Sequence, residues 1–489
     1  MIGHIVKRRS QGVFGVLLKT GWLVLLPALS GAGAGSAGRL EICPEHPYYF
    51  RDGDRHVVLV GVSDRALFSV WRNDKGFSWR NYLDDIAAHR LNYVRQDVFS
   101  WGKLRELSEY PAQFSNVARP FVRAGPGTAV DGKAKFDLTK FNQSYFDERL
   151  KPFLREAAER GIYVELTLFE GFRSRRDFEQ SLYAAANNVN KLGLRPGAVT
   201  SDAALANREL TAIQERYVDK VLGETAGFGN VIYEIANEAG GKLWVSHFIE
   251  YIHSHPEHRG RLVSAGEQGS SFDPRSGAND IVVKHRGKAG LYATDADVRN
   301  HHASLVGYRA GKPVSHNEYF LYANRSTDDV NFPRKMMWAD FTAGGHSNFF
   351  DFSFWRGTGR TIDDGRASCS PPEAVLGAGR GLVDFLSRNG VEFWSMAPHD
   401  ELAGVEAGKE AYVLTIARPG REYVCYVLGD GPVTVTVDLN GGRFIARWYD
   451  PKNGRFLTEA ARVGSEGRCE LVSPPFAEDI VLYIFRSES

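Results

Sequence analysis

Two residues have types and placements suited to acid–base and nucleophilic chemistry: Glu238 and Glu318. The stretch "NVIYEIANEAGG" (230–241) begins as an apolar run and ends in amide, acid and glycines, so Glu238 falls just past the end of a β-type segment. "KPVSHNEYF" (312–320) repeats the arrangement, with Glu318 beyond a short strand. Two carboxyls at strand ends can divide the work: one stays protonated as general acid, the other is ionised as nucleophile. About 5–5.5 Å apart, such a pair performs a double displacement at an anomeric carbon; a wider gap leaves room for water and inversion. Glu234 lies roughly 13 Å further back along the strand, at about 3.3 Å per residue. That sends it into the fold, where it needs a partner such as an arginine.

The elements that would position these residues alternate strand and helix. Strand patterns occur at "HVVLVG" (56–61), "NYVRQDVF" (92–99), "IYVELTLF" (162–169), "NVIYEIA" (230–236), "RLVSA" (261–265), "IVVK" (281–284), "PVSH" (313–316) and "NFFDFSF" (348–354). Between them, "YFDERLKPFLREAAER" (145–160) spaces Phe146, Leu150, Phe153, Leu154 and Ala157 three and four apart, an amphipathic helix that stops at Gly161. Leu210, Ile213, Tyr217 and Val221 repeat that spacing, and 332–346 and 372–388 are again helical in pattern. Eight strand-and-crossover units predict an α/β fold, a (β/α)8 TIM barrel over 40–395. A doubly wound open sheet is the competitor, but no Gly-rich nucleotide fingerprint follows the first strand. Long polar stretches at about 102–140, 171–202, 319–332 and 356–371 all follow strand C-termini, the face on which barrels build sites. Near residue 400 short β-type runs broken by D-G and N-G turns take over, with Val433, Val435 and Val437 alternating with threonines. They predict a small antiparallel β-sandwich over 400–489, with seven strands.

Composition bounds the function classes. With 60 basic and 59 acidic residues the chain has no charge excess to attract nucleic acid or an anionic membrane. Its 30 Phe, 20 Tyr and 9 Trp leave rings for stacking on sugar faces once the core is filled. Lys7, Arg8 and Arg9, the apolar "GWLVLLPALS" and the small-residue "AGAGSAG" predict a signal peptide over 1–37, cleaved after Ala34 or Ala37. The expectation is a secreted or periplasmic protein with no membrane segment after cleavage. Cys43, Cys369, Cys425 and Cys469 allow three disulfide pairings, and none has C-x-x-C spacing.

At the motif positions the sequence resembles the clan A retaining glycoside hydrolases, with family 5, the cellulases and mannanases, as the general pattern. Asn237-Glu238 at the end of strand four and Glu318 after strand seven carry the likeness. It implies Glu238 as acid/base, Glu318 as nucleophile and Asn237 on the sugar 2-hydroxyl. "LNYVRQDV" resembles the strand-two motif whose arginine, here Arg95, supports the nucleophile, and Trp355 in "FDFSFW" matches the tryptophan flooring the subsite beside the scissile bond. Two positions depart from the family: His285 is followed two places on by Gly287 rather than Tyr, and strand three ends in Phe169 and Glu170 rather than His. "RWYDPKNGRF" and "PPFAEDIVLYI" are similar to a collagen-binding-like module found behind some cellulase-like bacterial barrels, a name that implies no collagen binding here.

The resulting expectation is a β-linked poly- or oligosaccharide substrate, with Arg95, Asn237, His285, Trp355 and Trp101 as substrate-binding residues. Two carboxylates suffice, so no cofactor is called for. Adjacent His301 and His302 do not suit one metal, so no metal site is expected. A non-catalytic glycan-binding barrel, favoured by the missing tyrosine, and a transglycosylase on the same site are the alternatives. Glu170, His316, Asn317 and Asp351 have readings as local hydrogen bonders as well as site residues.

Overall fold

The computed structural model of the protein describes residues 36–64, 67–68, 78–98, 118–171, 174–266, 270–285, 294–320, 331–350, 371–459, 461–465 and 467–487. Eight parallel strands close into a barrel: Val60–Ser63, Tyr93–Asp97, Tyr163–Glu170, Val231–Asn237, Val263–Gly266, Ile281–Val283, Val314–Phe320 and His346–Phe350. They are called strands one to eight below. Their burial is nearly continuous, as expected where helices cover the outer face of a parallel sheet. Each predicted strand has its counterpart, with one division. "HVVLVG" splits at Leu59: Arg55–Val57 joins a three-stranded antiparallel sheet with Leu40–Ile42 and Phe50–Asp52, and only Val60 onward enters the barrel. That sheet stoppers the N-terminal end, where Leu40, Phe50, Val57 and Leu59 pack against Tyr93, Tyr163, Ile232, Leu262 and Ile281. At the seam of strands one and two, a Cβ on Gly61 would lie 1.9 Å from the Tyr93 carbonyl oxygen, so only glycine lets the two strands pair.

The crossovers include helices Trp79–Ala88, Lys151–Glu159, Arg208–Thr225, Lys242–Ser254, Asp295–Gly307 and Asn331–Thr342, and Glu373–Arg388 follows strand eight. Asp295–Gly307 starts on a capping box between Thr294 and Asp297, which satisfies the first-turn amides that the weak sequence pattern left unexplained. The stretch after strand two contains a hairpin, Phe121–Thr128 with Ala134–Phe141. Two asparagines of the segment after strand three bind it, and a third braces that segment itself. Asn187 Oδ1 accepts from the Val130 amide, Asn190 Oδ1 from the Leu138 amide, and Asn188 Nδ2 donates to the carbonyls of Leu182 and Ala184.

Beyond Phe393–Ser395 the chain forms two antiparallel sheets of seven and three strands, more strands than the seven expected because two- and three-residue strands such as Ala397–Pro398 and Ala403–Val405 leave no periodic signal. Val433, Val435 and Val437 do face the core between the sheets. The sandwich shares the barrel's main core. Trp338 of Asn331–Thr342 stacks on Tyr426 at 5.6 Å, and Phe385 of Glu373–Arg388 meets Tyr449 at 4.8 Å. Arg334 donates to Asp479 with Nε at 2.8 Å and Nη2 at 2.9 Å, both side chains buried. Losing one partner of such a pair costs about 3–5 kcal/mol. Asp479→Ala is therefore expected to lower the urea midpoint of the whole chain in one transition; an unchanged midpoint would show that the contact contributes nothing.

Cys43, Cys425 and Cys469 are free thiols, and Cys369 lies outside the described residues. Cys425 is fully buried, and burial pushes its thiol up to about 12. No helix among the described residues is long and apolar enough to cross a membrane.

Candidate active site

Arg95, on strand two, organises the barrel interior. It is buried, and its guanidinium meets carboxylates from three strands. Nε donates to Glu234 Oε2 at 2.8 Å and Nη2 to Glu234 Oε1 at 2.9 Å. Nη1 donates to Glu318 Oε2 at 2.5 Å, and Nε lies 3.8 Å from Glu165 Oε2. Nη2 also donates to Asn237 Oδ1 at 2.9 Å. Burial alone would make the guanidinium easier to deprotonate. The summed field of Glu234, Glu318, Glu165 and Asp97 reverses that and holds it well above its ordinary value. The partner that strand geometry demanded for Glu234 is thus Arg95, and Thr167 adds a hydroxyl donor to the same carboxylate.

Glu318 reaches Arg95 through a local irregularity. In strand seven, Ser315 and His316 pair with His346 and Ser347, while Tyr319 and Phe320 pair with Phe349 and Phe350; one residue is extra between them. Regular alternation would turn Asn317 inward and Glu318 outward. The bulge lets both point into the barrel. Asn317 Nδ2 donates to Glu165 Oε2 at 2.7 Å, and Glu318 lies next along, on Arg95. His316 and Tyr319 take the outer face, where their rings stack at 3.7 Å. Asp340 anchors this side, accepting from the Tyr319 hydroxyl at 2.7 Å and His301 Nε2 at 2.8 Å. His302 turns away to Asp400, so the adjacent histidines serve different contacts. Among the described residues no group of three or more His, Cys, Asp or Glu is placed to hold a metal ion.

Asn237 ends strand four and Glu238 follows it in a left-handed backbone, φ 46°, a conformation rare outside glycine and often found where a side chain is aimed for function. Gly171 allows this turn to approach strand three: a Cβ there would lie 2.9 Å from Ala239 Cβ and 3.0 Å from the Glu238 carbonyl oxygen. The Asn237 amide is fixed from both ends, because Nδ2 donates to Glu170 Oε1 at 2.9 Å while Oδ1 accepts from Arg95. Phe169 packs outward on Tyr217, Trp244 and Phe248, which leaves Glu170 as the strand-three residue beside Asn237. His285, just past strand six, puts Nε2 3.8 Å from Glu234 and Nδ1 3.9 Å from Glu318. Burial holds its imidazole neutral, lowering its proton affinity more than Glu318 raises it. Arg95, Asn237, His285 and Glu318 thus come together, with Glu238 at the adjoining strand end. Trp101, Trp355 and Asp351 lie outside the described residues.

Sequence reading singled out Arg95 and Glu318 but passed over Glu165. This strand-three acid is fully buried and receives hydrogen bonds from the Tyr93 hydroxyl at 2.6 Å and the Ser264 hydroxyl at 2.5 Å. The signal was an acid inside the apolar "YVELTLF", the same kind of anomaly that marks Glu234.

Residues 112–266, which span strands three to five, match a family described as Domain of unknown function (DUF6298). No curated protein sequence matches the chain. Among solved structures the chain is similar to a glycoside hydrolase (TM-score 0.62, 12% identity, 92% of this chain and 97% of that one). It is also similar to a glycoside hydrolase family 5 protein from Bacteroides vulgatus ATCC 8482 (TM-score 0.61, 13% identity, 92% and 93% covered). A family 5 mannosidase from Rhizomucor miehei matches with TM-score 0.50, 13% identity and coverage of 72% and 99%. The chain shares the fold of these glycoside hydrolases, barrel and C-terminal sheets together.

Proposed function

We propose that the protein is an exported retaining glycoside hydrolase that cleaves a β-linked poly- or oligosaccharide, with Glu318 as nucleophile and Glu238 as general acid/base. The observation that carries this reading is the strand-seven bulge, which turns Glu318 inward onto the Arg95 guanidinium. A buried cation in contact favours the ionised carboxylate, the state a nucleophile needs. Glu318 attacks the anomeric carbon as Glu238 delivers a proton to the leaving oxygen. Glu238 then takes a proton from the water that releases the sugar from Glu318. Arg95 and Glu170 hold the Asn237 amide at both ends, which supports its reading as the group that meets a sugar hydroxyl beside the reacting carbon. Similarity in fold to glycoside hydrolases supports the reaction class.

Export rests on the N-terminal sequence. The Ala37 amide donates to the Ala158 carbonyl at 2.7 Å, so cleavage after Ala34 leaves a folded contact intact that cleavage after Ala37 would remove. The test is turnover of a panel of aryl β-glycosides and polysaccharides by wild type and Glu238→Gln. The variant is expected to lose most activity on substrates with poor leaving groups, about 10²–10⁴-fold, and far less on activated aryl glycosides that need no proton. Wild type that binds glycans and cleaves none of the panel would make this a binding barrel instead.

A further inference from the structure

Inside the barrel the Arg95 guanidinium lies within 4.0 Å of three carboxylates, those of Glu165, Glu234 and Glu318. We propose that Glu165 is a positioning residue that carries a proton in the resting protein, and that this proton keeps the charge of Arg95 available to Glu318.

The geometry supplies the charge count. Glu165, Glu234 and Glu318 are all buried, and each lies within 4.0 Å of Arg95. Tyr93 and Arg95 on strand two and Glu234 on strand four act on Glu165 directly; Asp97 and Glu318 act on the same guanidinium, and His285, past strand six, lies 3.8 Å from Glu234 and 3.9 Å from Glu318. Burial lowers the proton affinity of His285, and Lys284 turns outward to Ser304 and the Tyr308 ring. Fully ionised, Glu165 and Glu234 would set two buried negative charges against a single guanidinium that also serves Glu318. Desolvation makes that costly, and a proton is the remedy that requires no other ion.

The proton belongs on the Glu165 side. Arg95 and Glu165 are neighbours across strands two and three, yet the guanidinium turns its two-pronged contact to Glu234 and stays 3.8 Å from Glu165. Asn317 Nδ2 bridges the two acids, at 2.7 Å from Glu165 Oε2 and 3.3 Å from Glu234 Oε1. Oε2 of Glu165 accepts from Tyr93 and Asn317, so the proposed proton goes to Oε1, where the Ser264 hydroxyl that donates to the ionised carboxylate must rotate to accept it. Burial, and then the charge of Glu234, raise the Glu165 carboxyl to about 7, consistent with this placement. Were Glu165 to ionise, it would compete with Glu318 for Arg95.

The proposal rests on the reading of Glu318 as nucleophile only for its effect on turnover; the proton itself can be tested without any substrate. Glu165→Gln supplies an N–H toward Ser264 and a carbonyl toward Tyr93 and Asn317, the shape of the neutral acid. A native acid raised above its unfolded value binds more protons than the unfolded chain, so wild type loses stability as pH rises from about 4.5 toward 7. The melting temperature of Glu165→Gln relative to wild type should therefore rise between pH 5 and about pH 7 and level off above it. A difference that does not change with pH overturns the proposal. Should the variant not fold, infrared spectroscopy of wild type with 13C-labelled glutamate reads the same proton directly. A protonated-carboxyl band that titrates away near pH 7 is expected, and loss of all such bands well below pH 6 overturns it. If the protein is a hydrolase, Glu165→Gln should also keep several-fold more of its pH 6 kcat/KM at pH 8 than wild type does. An unaltered pH profile would confine Glu165 to the fold and remove its positioning role. Absent hydrolysis would sink the proposed function and leave the stability and infrared results standing.

Discussion

Glu318→Gln is expected to lower turnover by on the order of 10⁴-fold while leaving the protein folded; at 1.36 kcal/mol per decade this removes about 5.5 kcal/mol of transition-state stabilisation. The amide retains an oxygen for the Arg95 Nη1 donor that now meets Glu318 Oε2. What it loses is the negative charge that attacks the anomeric carbon. Because three carboxylates crowd one guanidinium, removing one relieves repulsion, and the melting temperature should stay level or rise. That sign separates a chemical defect from a folding defect. Activity within tenfold of wild type would place the nucleophile elsewhere.

Arg95→Met should have the largest effect on stability. Arg95 gives Glu234 a two-pronged pair, gives Glu318 one hydrogen bond and orients the Asn237 amide. Methionine fills much of the volume and leaves the buried carboxylates without their cation, at a cost of about 3–5 kcal/mol. Without it, each acid's native proton affinity rises above its unfolded value. The sign follows: stability is greatest below the unfolded value of about 4.5 and is lost as pH rises through the raised native values. Arg95→Met should thus melt close to wild type in mild acid and far below it at pH 8. Equal deficits at both ends would mean that packing, not charge, accounts for the role of Arg95. Lysine is no substitute, since one ammonium cannot meet Glu234 at two oxygens and also reach Asn237 and Glu318.

The parts of this arrangement that follow from periodicity could be read from the sequence. Strand four is an apolar run that ends at Asn237, so its depth sent Glu234 inward and brought Glu238 to the strand end. Helices such as Arg208–Thr225 announced themselves by Leu210, Ile213, Tyr217 and Val221. What was not legible depends on register. Nothing in "PVSHNEYF" shows that an extra residue is accommodated before Tyr319, and without it Glu318 would face the helices. The split at Leu59 is of the same kind, because a continuous apolar run conceals where one sheet stops and the next begins. Glu165 had a visible signal but no visible partners. Its ligands Tyr93, Ser264 and Asn317 come from three other strands, a neighbourhood created only when the barrel closes.

The most direct measurement is covalent trapping. Incubation with an activated 2-deoxy-2-fluoro β-glycoside slows release of the glycosyl-enzyme, and peptide mass mapping then locates the attached sugar. One sugar per chain is expected, on Glu318 within "PVSHNEYF", absent from Glu318→Gln and formed without loss of the fold. A label on Glu170, Glu234 or Glu238, or turnover of the parent glycoside with inverted anomeric configuration and no label, would contradict it.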